Sequence, residues 1–239
     1  MGVITLVSEL ATNHGGDLTL AKQMIRASAL AGADIVKVQA YQLKHLRSTD
    51  PQYAWFKQCE LSDEALAELK AYAEGQRVQF LATAYHAEDF ERLKVLGCLS
   101  VKIGSGEGVT LMQAAIRQRL KVYISVPWGE VRDLDERWLE VSESKPLVFA
   151  TVPLYPAPLE TYHRIVRRAG YSDHHVGLDV AKIAIAHGCT VIEKHFHLPG
   201  KGRNQAWNMA PKDLAELRRF ADAYTQAVDG TTFQGRWTA

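Results

Sequence analysis

The sequence is poor in cysteine and has no long apolar run. Its three cysteines, Cys59, Cys98 and Cys189, are far apart and form no Cys-x-x-Cys pair, which is typical of reduced thiols. No stretch approaches the roughly 20 apolar residues of a membrane span, and the N-terminus lacks a signal-peptide pattern. We therefore predict a cytoplasmic protein that has no membrane partner.

The sequence also has no excess of charge of either sign. The 28 basic and 27 acidic residues give a formal net charge of +1, so the composition does not favour nucleic acid as a partner. Stretches rich in Pro, Gly or Ser, low-complexity tracts and charge blocks, which would mark a linker, are absent. Because 239 residues is the length of one α/β barrel, we expect a single domain spanning residues 1–239.

Strand-like and helix-like segments alternate along the chain. Short runs rich in Val, Ile and Leu are separated by segments whose apolar residues follow helical spacing. The predicted strands are Val3–Ser8, Asp34–Gln39, Val78–Ala82, Ser100–Ile103, Val122–Ser125, Leu147–Thr151, a weak candidate at Ala169–Ser172, and Thr190–His195. The predicted helices follow Asp17 and Ser62 and cover Ala87–Leu96, Leu111–Arg119, Val131–Val141, Leu159–Arg168, Leu178–Ala186 and Pro211–Val228. Asp17 and Ser62 are suited to cap their helices, and Gly32 and Gly75 to end them.

This alternation predicts a parallel α/β fold. An open doubly wound sheet is the main alternative to a closed barrel. The number of candidate strands and the absence of a Gly-x-Gly-x-x-Gly motif after the first strand favour a (β/α)8 TIM barrel.

A polar segment near the C-terminus is the strongest functional signal. In Val191–His197, the side chains of Glu193, His195 and His197 occupy alternate positions and would share one face of a strand. An unpartnered polar group on a buried face costs about 1–3 kcal/mol, and imidazole beside carboxylate suits a divalent metal. The alternative is that one or two of these histidines only hydrogen-bond to backbone at the strand end.

Polar residues also follow the other predicted strands, at the end where barrels of this kind carry their active sites. A single strand-end Ser or Thr often only bonds to backbone, but a polar cluster after nearly every strand indicates an enzyme. The candidates are Glu9, Asn13 and His14, then Lys37 and Gln39, then Thr83, then Lys102, Ser105 and Glu107, then Ser125, Tyr155, Ser172, Asp173, His174 and His175.

Five of these segments, in order, resemble the sialic acid synthase family. They are Asn13-His14-x-Gly16 preceded by Glu9, Ala31-Gly32-Ala33-Asp34-x-Val36-Lys37-x-Gln39, Lys102-Ile103-Gly104-Ser105-Gly106-Glu107, Ser172-Asp173-His174 and Ile192-Glu193-Lys194-His195-Phe196. That family condenses phosphoenolpyruvate with an aldehyde sugar on a metal-bearing barrel. The resemblance extends from about Val3 to the final helix and implies a transferase of carbohydrate biosynthesis.

The resemblance implies a role for each matching residue. His174 and His195 occupy the positions of two metal-binding histidines, which implies a divalent cofactor, manganese or magnesium. Catalytic roles fall to Glu9, Lys37, Tyr155 and Glu193. Substrate-binding roles fall to Asn13, His14, Gln39, Thr83, Lys102, Ser105, Ser125 and Ser172. Two lysines among hydroxyl groups would suit the phosphate and carboxylate of phosphoenolpyruvate.

The sequence departs from the family in ways that concern the acceptor. The family's C-terminal antifreeze-like domain has no counterpart before Ala239, and Pro153 stands where the family has a phosphate-binding asparagine. Asn204 replaces an aspartate of a Gly-Pro-Asp run, and Val126-Pro127-Trp128 follows the fifth strand where the family has Thr-Gly.

We therefore expect the acceptor to be bound by two long rim loops without regular structure, Tyr41–Cys59 and Pro199–Trp207. A homodimer or a separate partner protein that closes the site is a further expectation. Two other functions are compatible with the pattern. One is an aldolase or lyase that uses another enol or keto-acid donor, and the other is a non-catalytic barrel that binds a metabolite or a protein.

Overall fold

Eight parallel strands close into a barrel in chain order, with β8 paired to β1. The computed structural model describes residues 3–127, 146–164 and 170–229. The strands are β1 (Thr5–Ala11), β2 (Ile35–Gln39), β3 (Gln79–Ala84), β4 (Ser100–Ile103), β5 (Lys121–Pro127), β6 (Leu147–Thr151), β7 (Gly170–Asp173) and β8 (Val191–His195). The predicted TIM barrel is confirmed, and the weak candidate strand is β7.

Helices separate most of the strands and pack around the barrel. The α-helices of the described ranges are α1 (Leu18–Leu30), α2 (Tyr53–Cys59), α3 (Asp63–Gly75), α4 (Glu88–Val95), α5 (Gly108–Arg117), α6 (Asp179–Ala186) and α7 (Pro211–Asp229). Short 3-10 helices cover Leu43–His45 and Leu159–Arg164. None of these helices is long and apolar enough to cross a membrane.

The predicted helix caps are confirmed. The Asp17 carboxylate accepts hydrogen bonds from the backbone N–H groups of Thr19 and Leu20, at 2.8 and 3.1 Å. The Ser62 hydroxyl accepts one from the N–H of Ala65, at 3.2 Å. Side-chain oxygens at these positions satisfy backbone donors that have no partner inside the helix.

Three predictions about the connections need correction or fall outside the described residues. The segment Tyr41–Cys59 was expected to lack regular structure, but it contains a 3-10 helix and all of α2. The helix predicted over Leu159–Arg168 is a 3-10 helix as far as Arg164, and residues 165–168 lie outside the described ranges. The helix predicted over Val131–Val141 also lies outside them.

The barrel interior changes from apolar to polar along the strands. Its floor is a small apolar cluster that includes Val7, Ile35, Leu81, Phe149 and Val191. Side chains two residues further along a strand point to the same face. The next inward positions are Glu9, Lys37, Thr83, Thr151 and Glu193, which are all buried. The strand period therefore places a polar layer directly above an apolar floor, at the C-terminal ends of the strands.

Candidate active site

A cavity of about 530 Å³ opens at the C-terminal ends of the strands. Every residue to which the resemblance assigns a role lines it, with the exception of His14, whereas Asp173 and His175 of the wider candidate set do not. The lining residues with an assigned role are Glu9, Asn13, Lys37, Gln39, Thr83, Lys102, Ser105, Ser125, Tyr155, Ser172, His174, Glu193 and His195. The fold thus brings residues from all eight strands, or the loops that follow them, into one site.

The structure does not bring His14 to this cavity. Its ring is buried, and Nδ1 accepts a hydrogen bond of 3.1 Å from the backbone N–H of Gly16. Burial lowers the pKa of His14 to about 4, so the ring is neutral and fits this acceptor role. Gly16 has φ +83°, and a Cβ there would lie 2.1 Å from the Gln58 carbonyl oxygen. The Asn13–Gly16 segment is therefore a tightly packed turn, in which Asn13 lines the cavity and His14 supports the backbone.

His197 does not join Glu193 and His195 at the cavity. Strand β8 ends at His195, and the N–H of His197 donates to the carbonyl of Met209 at 3.0 Å. The alternation predicted for Val191–His197 therefore holds only as far as His195, because the strand pairing ends there.

Two lysines and two glutamates form a buried ionic cluster on the cavity wall. Lys37 Nζ lies 2.7 Å from Glu9 Oε2 and 2.9 Å from Glu193 Oε2. Lys102 Nζ lies 3.8 Å from Glu193 Oε1. None of the four side chains exposes more than 6% of its surface. An unpaired charge would be costly at this depth, so each of the four groups needs its oppositely charged neighbours to remain ionised.

The cluster changes the proton affinity of its members. Burial lowers the pKa of Lys37 to about 7, although the Glu193 carboxylate opposes this shift. Burial also lowers the pKa of Lys102. Burial would raise the pKa of Glu193, but the Lys102 and Lys37 ammonium groups hold it well below its usual range. Glu193 is therefore ionised, and Lys37 can gain or lose a proton near neutral pH.

Hydroxyl groups extend this cluster. Lys102 Nζ donates to Ser125 Oγ at 2.6 Å, which leaves the Ser125 hydroxyl proton free for an acceptor in the cavity. Ser172 Oγ donates to Glu193 Oε1 at 2.9 Å. Ammonium and hydroxyl donors that converge in this way suit a small anion carrying phosphate or carboxylate.

His174 and His195 lie together beside this cluster, with ring centroids 5.5 Å apart. His174 Nδ1 is 2.9 Å from the Val152 carbonyl oxygen, which can only accept, so Nδ1 carries the proton and Nε2 is free to bind a ligand. His195 Nδ1 is buried without a hydrogen-bond partner in the described part of the chain. Burial lowers the pKa of His174 to about 4 and that of His195 well below its usual value, so both rings are neutral.

These two imidazoles fit a divalent metal. Metal ligands must be unprotonated, and the hydrogen bond from His174 to a backbone carbonyl is of the kind that orients metal-binding histidines. No group of three or more His, Cys, Asp or Glu side chains forms a complete metal site within the described ranges. An ion held by His174 and His195 would thus keep positions open for water or substrate oxygens.

Aromatic rings border the histidine pair. The Tyr155 ring lies 4.0 Å from the His174 ring and 5.6 Å from the Trp207 ring, measured between centroids. About half of the Tyr155 surface is exposed, so this ring lies at the cavity mouth.

The cavity has further lining residues besides those with a role assigned by the resemblance. Thr151 follows the inward-facing Phe149 by two positions, so the strand period could have identified it. Phe56 of α2 and Gln52, the residue before that helix, also line the cavity and belong to the predicted acceptor segment Tyr41–Cys59, although the helix itself was not predicted. Glu107 is one of the strand-end candidates, and Arg203, Gln205 and Trp207 belong to the predicted acceptor segment Pro199–Trp207. The remaining additions are Ala11, Thr12, Tyr85, Gly104 and Gly106. Pro153, at the position of the family's asparagine, is exposed and does not line the cavity.

Comparisons with known proteins agree with the resemblance found in the motifs. The N,N'-diacetyllegionaminic acid synthase of Campylobacter jejuni is 29% identical, over 89% of this chain and 73% of that protein. The N-acetylneuraminate-9-phosphate synthase of Homo sapiens is 26% identical, over 96% of this chain and 72% of that protein. Both relatives are synthases by name, which agrees with the enzyme predicted from the strand-end residues.

Solved structures of known synthases share the barrel fold of this protein. The N-acetylneuraminic acid synthetase of Leptospira borgpetersenii, solved with citrate, superposes with a TM-score of 0.85 at 25% identity, over 99% of this chain and 88% of that one. A truncated 3-deoxy-D-arabino-heptulosonate 7-phosphate synthase of Thermotoga maritima shares the fold, with a TM-score of 0.71 at 12% identity. The sequence model of the NeuB family matches residues 24–232, and this protein belongs to the NeuB family.

Proposed function

We propose that the protein condenses phosphoenolpyruvate with an aldehyde sugar. The reaction forms a 2-keto-3-deoxy acid of the nonulosonate type and releases phosphate. The observation that carries this proposal is the presence of Lys37 and Lys102 in one cavity with His174 and His195. The lysines suit the anionic donor, and the two neutral imidazoles suit a divalent metal, manganese or magnesium.

The donor would lie against the lysine side of the cavity. Lys37, Lys102 and the free hydroxyl proton of Ser125 can neutralise and orient its phosphate and carboxylate groups. Thr83 and Ser105 line the same cavity and add hydroxyl donors. The donor's methylene group would then face the aldehyde.

His174 and His195 would hold the metal. When bound, the metal would polarise the carbonyl of the aldehyde and so favour attack by the donor's methylene group. Tyr155, which lies against the His174 ring, limits how the acceptor can approach the pair.

Carbon–carbon bond formation leaves a positive centre at the former enol carbon, to which water adds. Phosphate then leaves by C–O cleavage, and the water's protons must be accepted nearby. Glu9 Oε1 is buried without a hydrogen-bond partner in the described structure, so it is placed to accept one. Lys37, whose pKa is about 7, lies 2.7 Å from the other Glu9 oxygen and can relay a proton near neutral pH.

The test is release of inorganic phosphate from phosphoenolpyruvate by the purified protein, with Mn²⁺ and N-acetylmannosamine or another aldehyde sugar. We expect release that depends on the aldehyde, and a product in which one donor has joined one acceptor. His195→Ala should lose both turnover and the tightly bound metal measured after gel filtration. Lys121→Met, at the opposite end of β5, is the matched control for lysine removal.

The proposal fails if no aldehyde stimulates phosphate release while the protein binds metal and remains folded. Consumption of pyruvate or oxaloacetate in place of phosphoenolpyruvate would identify an aldolase. Tight ligand binding without any turnover would identify a binding protein.

A further inference from the structure

Most of the charged side chains that line the cavity are paired with one another. Lys37 pairs with Glu9 and Glu193, and Lys102 pairs with Glu193, so these four groups have a net formal charge of zero. Arg203 and Glu107 also line the cavity. Among the described residues, neither of them forms an ion pair.

Arg203 and Glu107 stand on opposite sides of the cavity mouth. Glu107 follows β4 and Arg203 follows β8. In a closed barrel of eight strands in chain order, β4 and β8 are diametrically opposed. Among the described residues of the rim, the unpaired charge is therefore positive on the side of β8 and β1 and negative on the side of β4.

The backbone of Arg203 is fixed against the turn after β1. Its N–H donates to the Asn13 carbonyl oxygen at 2.9 Å. The preceding Gly202 has φ +61°, and a Cβ there would lie 2.1 Å from the same oxygen. Only glycine allows this approach, so the loop holds Arg203 at one place on the rim.

The Arg203 side chain is also positioned, by an aromatic ring. Its guanidinium carbon lies 5.1 Å from the centroid of the Trp55 ring, which belongs to α2. The Trp55 indole N–H donates to Thr12 Oγ1 at 3.1 Å and thereby fixes the ring. A guanidinium over an aromatic face keeps its N–H edges free, and those edges match a carboxylate or phosphate in a bidentate manner.

We propose that Arg203 binds an anionic group, phosphate or carboxylate, at the end of the acceptor remote from its aldehyde. This inference rests on the proposed function. In the proposed function, Lys37 and Lys102 bind the donor's phosphate and carboxylate inside the barrel, whereas Arg203 lies half-buried at the rim. Because Glu107 would repel an anion on the opposite side, the acceptor has one favoured orientation.

The test compares three acceptors that differ only at carbon 6. These are N-acetylmannosamine, its 6-phosphate and the corresponding 6-carboxylate. We expect kcat/KM to be about tenfold or more higher for at least one charged sugar than for the neutral one. The better of the two charged sugars then identifies the source of the anion.

Two variants assign this preference to the side chain. Arg203→Gln should reduce the ratio of kcat/KM for charged and neutral sugars to about one, and should leave the KM of phosphoenolpyruvate unchanged. Arg203→Lys should retain part of the preference for charged sugars, because an ammonium keeps the positive charge but cannot form the bidentate hydrogen bonds of a planar guanidinium. Lys201→Gln is the matched control, since Lys201 belongs to the same loop but points to Gln23, with an Nζ–Oε1 distance of 2.7 Å.

Three results would overturn the inference. They are a wild-type protein with equal kcat/KM for charged and neutral sugars, an Arg203→Gln variant in which kcat/KM falls equally for all three sugars, and a raised KM of phosphoenolpyruvate in that variant. Calorimetry of the three sugars without donor separates this inference from the proposed function. If turnover is absent, tighter binding of a charged sugar to wild type than to Arg203→Gln still supports the role of Arg203. Equal binding to both proteins overturns it.

Discussion

At the scale of the residue, Lys37 is a buried lysine whose charge changes near neutral pH. It lies within ion-pair distance of Glu9 and Glu193, yet burial lowers its pKa to about 7, although the Glu193 carboxylate opposes this shift. A lysine is charged below its pKa, so the ammonium that would bind the donor is present at pH 6 and largely lost by pH 8. Titration and anion binding at Lys37 are therefore coupled.

We expect the affinity for phosphoenolpyruvate to weaken as the pH rises through about 7. Lys37→Met should weaken donor binding by about 2–5 kcal/mol at pH 6.5, since it removes a desolvated charge contact. In this variant the affinity for phosphoenolpyruvate should no longer depend on pH, apart from the effect of the donor's own ionisation. Calorimetric titration of the donor between pH 6.5 and 8.5 measures both effects, with Lys121→Met as the control. An unchanged affinity in Lys37→Met, or a wild-type affinity that rises with pH, would contradict this role.

At the scale of the element, β7 and β8 are joined by a second buried ionic network, outside the barrel. Lys194 Nζ lies 2.8 Å from Asp173 Oδ2 and donates to the His175 carbonyl at 2.6 Å. Asp173 Oδ1 accepts from the backbone N–H of His175 and lies 2.8 Å from its Nδ1. Asp173 and Lys194 each precede a histidine of the cavity, so this network fixes the strand ends that carry His174 and His195.

Breaking this network should destabilise the fold. We expect Asp173→Asn to reduce the free energy of unfolding by about 3–5 kcal/mol, because Lys194, which is 1% exposed, would keep a buried charge without its partner. The double variant Asp173→Leu with Lys194→Met should recover most of this loss. Denaturant titration measures the three proteins. Glu68→Gln, which removes a surface ion pair with Lys22, should change stability by less than about 1 kcal/mol. A similarly small effect of Asp173→Asn would show that the network is unimportant.

The strands could be predicted because each is a short run rich in Val, Ile and Leu, and the inward-facing site residues could be predicted because side chains alternate along a strand. Lys37 and Glu193 each stand two positions after an apolar floor residue, Ile35 and Val191. Helix α2 could not be predicted in this way, since its N-cap residue Gln52 makes no side-chain capping bond. The placement of Arg203 depends on the close packing of Gly202 against the turn after β1, which no periodicity in the sequence encodes.

At the scale of the whole molecule, the barrel brings two sites of opposite preference into one cavity. The histidine pair is neutral and suits a cation, whereas the lysines suit an anion, and Glu193 lies between Lys37 and Lys102 on the same wall. A bound cation would attract the anionic donor across this short distance. It would also offset the charge of Glu193, which otherwise competes with the donor for both ammonium groups.

The two ligands should therefore bind cooperatively. We expect Mn²⁺ to lower the dissociation constant of phosphoenolpyruvate by a coupling of about 1–3 kcal/mol, and the donor to raise metal affinity by the same factor, as linkage requires. In thermal unfolding, the rise in Tm with both ligands should exceed the sum of the two separate rises. His174→Ala should abolish the coupling by removing the metal, and Lys102→Met should abolish it by weakening the donor. Strictly additive shifts in the wild-type protein would show that the metal and the donor do not share this cavity.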